Sequence, residues 1–219
     1  MRPLGILMLD TRFPRIEGDI GNARSFDFPV IYRTLRGIGP DDAVNAHPDR
    51  PRVLAALQAN AQALADEGAV GLSTSCGFLA LYQKDLERLS PIPVATSALL
   101  LIAGLKGARV GVITASARNL TAAHLVAAGA PADTAVIGMP VDGAFATTFL
   151  RNGTTLDRDA VEAEAVAAGR ELLRLRPDLE AIVLECTNLP PYKPALEQAL
   201  GLPVYDVLDL LRDFRRRLG

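Results

Sequence analysis

The chain has 219 residues, 49% of them hydrophobic, which is enough to bury a substantial core in one domain or two small lobes and argues against disorder. Its 23 basic and 25 acidic residues are spread along the sequence and leave a formal charge of −2, so neither nucleic acid nor an anionic membrane is an expected partner. Without a signal-peptide pattern, an uncharged membrane-spanning run or C-x-x-C spacing, the sequence predicts a cytoplasmic protein whose two cysteines are free thiols.

Short aliphatic runs alternate with longer stretches of helical period, which indicates βαβ units and a mostly parallel sheet. The first half predicts strands at residues 5–9, 70–75 and 93–95, and helices at residues 52–67, 77–88 and 97–105. The second half predicts strands at residues 109–114, 134–139, 181–185 and 202–205. Its helices are predicted at residues 119–128, from residue 157 to about residue 175, from about residue 191, and from residue 206 onward. Asp157 and Asp206 are the expected N-caps of two of these helices.

Residues 11–36 are predicted to form a long irregular loop that the second half lacks. Gly18, Gly21 and Asn22 suit tight turns with exposed backbone N–H groups. Long loops inside α/β proteins are often functional, although an ordinary surface loop would have the same composition. Both interpretations stay open.

The second half of the chain repeats the pattern of the first. LGILMLDTR (residues 4–12) aligns with VGVITASAR (residues 110–118), and AVGLSTSC (residues 69–76) aligns with LEAIVLEC (residues 179–186). Cys76 and Cys186 each precede by 17 residues the proline of a third pair of blocks, PVATSALLL and PVYDVLDLL. Three blocks in the same order favour an internal duplication, in which the two cysteines occupy equivalent positions.

Each cysteine follows a predicted strand and precedes a predicted helix, at the sheet edge where open parallel sheets bind ligands. The positive end of the helix dipole is expected to lower the thiol pKa toward neutral pH. A single free cysteine is more often an inert small hydrophobe, but two at equivalent strand ends favour chemistry. If the thiols face one substrate carbon, one can remove a proton while the other adds a proton to the opposite side, so Cys76 and Cys186 are the predicted acid and base of a two-base racemase.

Polar residues surround both cysteines. Thr74 and Ser75 precede Cys76, and Thr187 and Asn188 follow Cys186. Their hydroxyl, amide and backbone N–H groups can bind a substrate carboxylate and stabilise the enolate-like charge that forms when the α-proton leaves. Ser and Asn at such places are also ordinary helix caps.

Further polar residues end the first strand of each half. Thr114 and Ser116 could bind the same carboxylate, and Asp10 could orient a substrate amine or assist the first cysteine. Asp is also common at strand ends, so Asp10 has a structural alternative. His47 and His124 are far apart in sequence and are predicted to have structural or solvent roles, so no metal site is expected.

A cysteine after the third strand, a Cys-Thr pair late in the chain and a Gly-Val-Ile-Thr restart between them resemble the aspartate/glutamate/hydantoin racemase superfamily, over nearly the whole chain. The resemblance implies two Rossmann-like, pseudo-symmetric lobes with mostly parallel sheets and a cleft between them. Residues 1–105 and 206–219 would form the first lobe, and residues 106–205 the second. It also implies no cofactor and no metal, commonly a homodimer, and racemisation of an amino acid, a related small carboxylate or a hydantoin. The residues implied in binding the substrate carboxylate are Thr74, Thr114, Ser116 and Thr187, with Asn22 nearby.

Two motifs depart from that superfamily. Glutamate and aspartate racemases usually have Asn-Thr after the first cysteine, where this chain has Gly77 and Phe78, and a titratable residue at the position of Asn188. The substrate is therefore left open. The alternatives are a maleate-isomerase-like or decarboxylase member of the same superfamily, or a non-catalytic protein that binds a small carboxylate and tolerates the loss of either thiol.

Overall fold

The computed structural model describes all 219 residues, Met1–Gly219, and has two lobes, each built around its own sheet. The strands are β1 Leu4–Leu9, β2 Val30–Leu35, β3 Leu72–Thr74, β4 Val110–Thr114, β5 Ala135–Gly138, β6 Ala181–Leu184 and β7 Val204–Tyr205. The strand order is β2-β1-β3 in the first sheet and β5-β4-β6-β7 in the second. Every strand pair is parallel, which confirms the predicted α/β fold with two parallel sheets.

Helices cover the sheets and connect the strands. They are α1 Pro40–Ala43, α2 Arg50–Asp66, α3 Gln83–Leu89, α4 Ala122–Ala127, α5 Arg158–Leu175, α6 Lys193–Leu200 and α7 Val207–Arg217. Short 3-10 segments lie at Ala23–Ser25, Gly77–Tyr82, Ala98–Gly104 and Pro190–Tyr192, and a π-helical turn at Ala146–Leu150. The structure confirms both predicted N-caps, because the Asp157 and Asp206 side chains accept hydrogen bonds from first-turn amides. None of the helices combines the length and the apolar character needed to cross a membrane.

The two lobes repeat one packing arrangement between a central strand and a long helix. A Cβ atom on Gly5 of β1 would lie 3.0 Å from Leu64 of α2, and a Cβ atom on Gly111 of β4 would lie 2.8 Å from Leu172 of α5. Glycine at these two aligned positions lets each helix approach its sheet closely. The equivalence of β1 with β4 follows from this shared contact.

The prediction of one irregular loop over residues 11–36 is wrong in its last part, where β2 pairs with β1 in parallel from Val30 to Leu35. β2 is an edge strand whose side chains are mostly half-buried. It therefore lacks the continuous apolar run by which a central strand is recognised in the sequence.

Three predicted elements are shorter or tighter than expected. The helix predicted at residues 77–88 begins as the 3-10 segment Gly77–Tyr82, and the one at residues 97–105 is 3-10 throughout, as is common in connections. The strand predicted at residues 93–95 is a single bridge between Val94 and Leu72. Pro91 and Pro93 lack the amide N–H groups that a longer strand would need there.

The C-terminal helix α7 contacts the 3-10 segment Ala98–Gly104. A Cβ atom on Gly71, just before β3, would lie 2.8 Å from Phe214 of α7. The lobe boundaries at residues 105 and 206 stay a prediction.

Candidate active site between the lobes

Cys76 and Cys186 line the same cavity, and each is a free thiol with less than a tenth of its surface exposed. Cys76 lies two residues beyond β3, and Cys186 lies two residues beyond β6. β3 pairs with β1, and β6 pairs with β4, the strand equivalent to β1. The thiols therefore reach one cavity from equivalent positions of the two lobes.

The cavity is small and mostly apolar. Its volume is about 30 Å³, measured as the space open to the centre of a water-sized sphere, which is room for about two water molecules. Its apolar lining residues are Leu9, Phe13, Pro40, Val44, Phe78, Ala115, Phe145, Phe149 and Leu150. The free space beside the thiols is therefore smaller than a small carboxylic acid molecule.

The segment after β1 lines the cavity and supplies its one cationic side chain, Arg15. The Arg15 guanidinium carbon lies 4.3 Å from the centre of the Phe13 ring, and its Nη1 lies 2.9 Å from Asp19 Oδ1. Asn188 Nδ2 donates to the other oxygen of Asp19 at 2.7 Å. The first-lobe segment that holds Arg15 is therefore bound directly to the residue two positions after Cys186.

Three of the predicted polar residues, Ser75, Thr187 and Asn188, line the cavity together with the cysteines. Thr187 Oγ1 donates to the Ser75 carbonyl oxygen at 2.6 Å, a hydrogen bond between the two lobes. Ser75 Oγ accepts from the Leu9 amide at 2.9 Å, and the Cys186 thiol donates to Asn188 Oδ1 at 3.6 Å. The structure thus brings these five predicted residues together.

Two predicted hydroxyl groups are fully buried and point to protein partners instead of the cavity. Thr74 Oγ1 donates to the carbonyl oxygen of Thr96 at 2.7 Å, and Thr114 Oγ1 donates to Glu185 Oε2 at 2.7 Å. Neither residue lines the cavity. The predicted carboxylate-binding role of Thr74 and Thr114 stays a prediction.

The remaining three predicted residues also lie outside the cavity lining. Asn22 caps the 3-10 segment Ala23–Ser25, and the exposed Asp10 accepts from the Gly37 amide at 2.9 Å. Ser116 is half-buried, and its amide donates to Thr114 Oγ1. Local turns therefore already account for the side chains of Asn22 and Asp10.

Glu185, which precedes Cys186 and was not predicted from the sequence, lines the cavity and is fully buried. Its Oε2 accepts from the Thr114 hydroxyl at 2.7 Å and from the Ala115 amide at 3.4 Å, while its Oε1 has no hydrogen-bond partner. Burial raises the pKa of Glu185 to about 7, although the two hydrogen bonds act in the opposite direction. The available sequence signal was an acidic residue directly after an apolar strand and directly before a cysteine.

The thiol pKa values contradict the prediction that the helix dipole lowers them. Burial, and then the charge of Glu185, raises the pKa of both Cys76 and Cys186 well above the usual range of a thiol. Backbone N–H groups of Phe78 and Leu79 lower the pKa of Cys76, but by less. The cysteines precede short 3-10 turns instead of long α-helices, so the favourable dipole is small while desolvation is nearly complete.

The two histidines are not part of this site. His124 is buried in α4, where its Nδ1 lies 2.9 Å from Thr121 Oγ1 and its ring packs edge-on against Phe78. His47 does not line the cavity. No group of three His, Cys, Asp or Glu side chains in the chain is arranged to hold a metal ion.

The chain is similar along most of its length to proteins named dimethylsulfoniopropionate lyase. It is 30% identical to dimethylsulfoniopropionate lyase of Durusdinium sp. clade D, over 94% of this chain and 71% of that protein. It is also 30% identical to dimethylsulfoniopropionate lyase 5 of Emiliania huxleyi, over 95% of this chain but only 44% of that protein. The chain therefore spans less than half the length of the second relative.

The fold is also found in a solved structure of unliganded arylmalonate decarboxylase. The TM-score is 0.65 at 21% sequence identity, with 99% of this chain and 93% of that chain covered. At this identity the likeness extends to the two-lobed fold alone. A family model described as Asp/Glu/Hydantoin racemase matches residues 41–212, a range that contains both cysteines and all of the second sheet. This match covers most of the chain and agrees with its two-lobed fold, so the chain belongs to the Asp/Glu/Hydantoin racemase family.

Proposed function

We propose that this chain is a lyase that eliminates a leaving group from the β-carbon of a small carboxylic acid, with a cysteine thiolate as the base. The thiolate removes the proton next to the carboxylate, and the electrons of the broken C–H bond form a carbon–carbon double bond. The leaving group departs with the electron pair of its bond to the β-carbon. Two thiols on one cavity support proton removal by a thiolate, and the similarity to proteins named dimethylsulfoniopropionate lyase supports elimination as the step that follows.

The chemistry of the lining residues favours an acid without an amino group. Arg15 can pair with the substrate carboxylate, whereas the only acidic side chain in the lining is Glu185, which is fully buried. The ammonium group of an amino acid would therefore lack an accessible partner. The relatives named as dimethylsulfoniopropionate lyases act, by that name, on a propionate with a sulfonium group, and a cation without N–H donors suits the phenylalanine-rich wall of this cavity.

A second candidate is the racemisation expected from the sequence. It is favoured by the equivalence of Cys76 and Cys186 across the two lobes, because a second thiol on the opposite side could return a proton to the same carbon. Elimination needs only one base, whereas inversion of a stereocentre needs both thiols. The two candidates share the first step, removal of the proton next to the carboxylate. As the resemblance implies, we also propose a homodimer that needs no cofactor, and from the composition we propose a cytoplasmic location.

Proton NMR in D2O distinguishes these reactions. The wild type, Cys76→Ser and Cys186→Ser are each incubated with dimethylsulfoniopropionate, amino acids and hydantoins, with circular dichroism as the control for folding. Elimination yields vinyl proton signals, and loss of the base thiol is expected to lower the rate by about 100-fold or more. Loss of the α-proton signal without vinyl signals, with both variants impaired, would favour the racemase. Undiminished turnover in both folded variants would refute thiolate catalysis.

A further inference from the structure

Glu185 is a buried acid that neither candidate reaction has yet used. It is fully buried, it lines the cavity, and one of its two carboxyl oxygens, Oε1, has no hydrogen-bond partner. A buried carboxyl oxygen without a donor is costly to desolvate. The family match assigns no role to this residue, so its position calls for a physical explanation.

The carboxyl group of Glu185 is close to both cysteine-bearing segments. Glu185 precedes Cys186 in the chain, and its Oε1 lies 2.2 Å from the point that a Cβ atom on Gly77 would occupy. Gly77 is the residue directly after Cys76. Any side chain at position 77 would therefore displace the Glu185 carboxyl group, which accounts for glycine where related racemases usually have asparagine.

We propose that Glu185 accepts the proton of a neighbouring thiol and so generates the thiolate base inside the closed cavity. The inference rests on the proposed function, since it supplies the base that the proposed reaction requires. Glu185 acts on the thiols and does not contact the substrate, so it is a positioning residue and not a catalytic one. Cys76 and Cys186 remain the catalytic residues.

The proton transfer leaves the net charge of the cavity unchanged. The S–H bond of the thiol breaks, its electron pair stays on sulfur, and the proton forms an O–H bond at Oε1 of the carboxylate. One buried anion replaces another, which avoids the large cost of creating an additional charge away from water. Release of the same proton to solvent would instead leave the thiolate beside the negative Glu185.

The charged groups around this proton are few. Arg15 lines the cavity and lowers the pKa of Cys76, and Asp19, which pairs with Arg15, raises the pKa of Cys186. The hydroxyl of Thr114 and the amide of Ala115 hold Oε2 of Glu185 and favour its ionised form. Glu185 must be ionised to accept a proton, so turnover is expected to rise as the pH increases through about 7.

Glu185→Gln keeps the size of the side chain and an acceptor oxygen for Thr114 but cannot take a proton. Removing the negative charge should lower the pH at which the thiols ionise, followed by the ultraviolet absorbance of thiolate in the protein without substrate. In the same variant a thiolate forms only by release of its proton to solvent, so turnover of dimethylsulfoniopropionate should go on rising with pH above about 7, where the wild type is expected to level off. A purely electrostatic role of Glu185 would produce the easier thiol ionisation without the change in the pH dependence of turnover.

Thr114→Val is the matched variant that keeps Glu185 but removes the hydroxyl that favours its ionised form. The pH at which turnover rises should move upward, while turnover at higher pH is largely retained. An unchanged pH profile in this variant would contradict control of turnover by the Glu185 proton.

The possible results separate this inference from the proposed function. Thiols that ionise at the same pH in wild type and Glu185→Gln would overturn the inference without reference to any substrate. Thiols that ionise more easily in Glu185→Gln, together with a wild-type turnover that rises above about pH 7 as steeply as that of the variant, would also overturn it, because Glu185 would then only suppress ionisation. Failure of the wild type to turn over any substrate would instead overturn the proposed lyase and racemase functions.

Discussion

At the scale of single residues, Arg15 is the one cation in the lining of a mostly apolar cavity. Its side chain is only 15% exposed and donates to Asp19 and to Thr11 Oγ1, which leaves further N–H groups of the guanidinium for a substrate. The ring of Phe13 supports its flat face. These contacts hold the cation at the cavity before a substrate is bound.

Arg15→Gln should raise KM for a carboxylate substrate by about 10-fold or more, because a hydrogen bond to a charged partner contributes about 1.5–3 kcal/mol. The matched control is Arg24→Gln, which removes an equal charge from an exposed position of the same loop. Steady-state kinetics of the two variants provide the measurement. Equal KM values for the two variants would show that Arg15 does not bind the carboxylate.

At the scale of elements, the segment after β1 and the π-helical turn Ala146–Leu150 both line the cavity. The rings of Phe13 and Phe149 meet edge-on with centroids 4.9 Å apart, and the Arg12 amide donates to Asn152 Oδ1 at 2.7 Å. π-helical turns are frequently found at functional sites. Both segments line the cavity, so their position limits the free space beside the two thiols.

The segments that follow β3 and β6 are in contact at Gly77, where a larger side chain cannot be accommodated. A Cβ atom there would lie 2.1 Å from the backbone oxygen of Glu185, so Gly77→Ala should lower the free energy of unfolding by about 1–3 kcal/mol. Gly104→Ala is the control, because no atom lies within 4 Å of the added Cβ atom and its φ is not left-handed. Urea unfolding checks both variants, and an unaffected Gly77→Ala protein would contradict the close contact between these segments.

At the scale of the whole molecule, the buried Glu185 makes folding depend on pH. Its pKa rises from 4.5 to about 7 on folding, so the folded protein binds more protons than the unfolded chain between these values. The stabilising contribution of the protonated form is therefore fully present below about pH 4.5 and is lost as the pH rises through about 7. The pH range that favours an ionised proton acceptor is thus the range in which the fold is less stable.

Glu185→Gln should remove this dependence. Between about pH 5 and about pH 8 the wild type should lose up to about 3 kcal/mol more of its free energy of unfolding than the variant does. Burial also raises the pKa of Asp206, but this contribution is common to both proteins and cancels in the comparison. Urea unfolding at the two pH values is the measurement, and parallel losses in both proteins would contradict the burial of an ionisable Glu185.

The sequence by itself determined the α/β class, the repeat of the two halves and the helix caps at Asp157 and Asp206. It also determined that Cys76 and Cys186 occupy equivalent positions in the two halves. These features follow from local periodicity and from equivalent spacing, both of which are visible along the chain. Ser75, Thr187 and Asn188 could be predicted as cavity residues because they are next to the cysteines in the sequence.

The tertiary structure alone decided the place of Arg15, the burial of Glu185 and the raised pKa values of the thiols. Arg15 lies in an irregular loop, where no period indicates the direction of a side chain. The pKa of Glu185 depends on desolvation by residues from both lobes, which are distant in sequence. Edge strand β2 was missed for a related reason, since its pairing with β1 compensates for a weak apolar pattern. Local chemistry thus specified the elements and the thiols, and packing between the lobes specified their electrostatics.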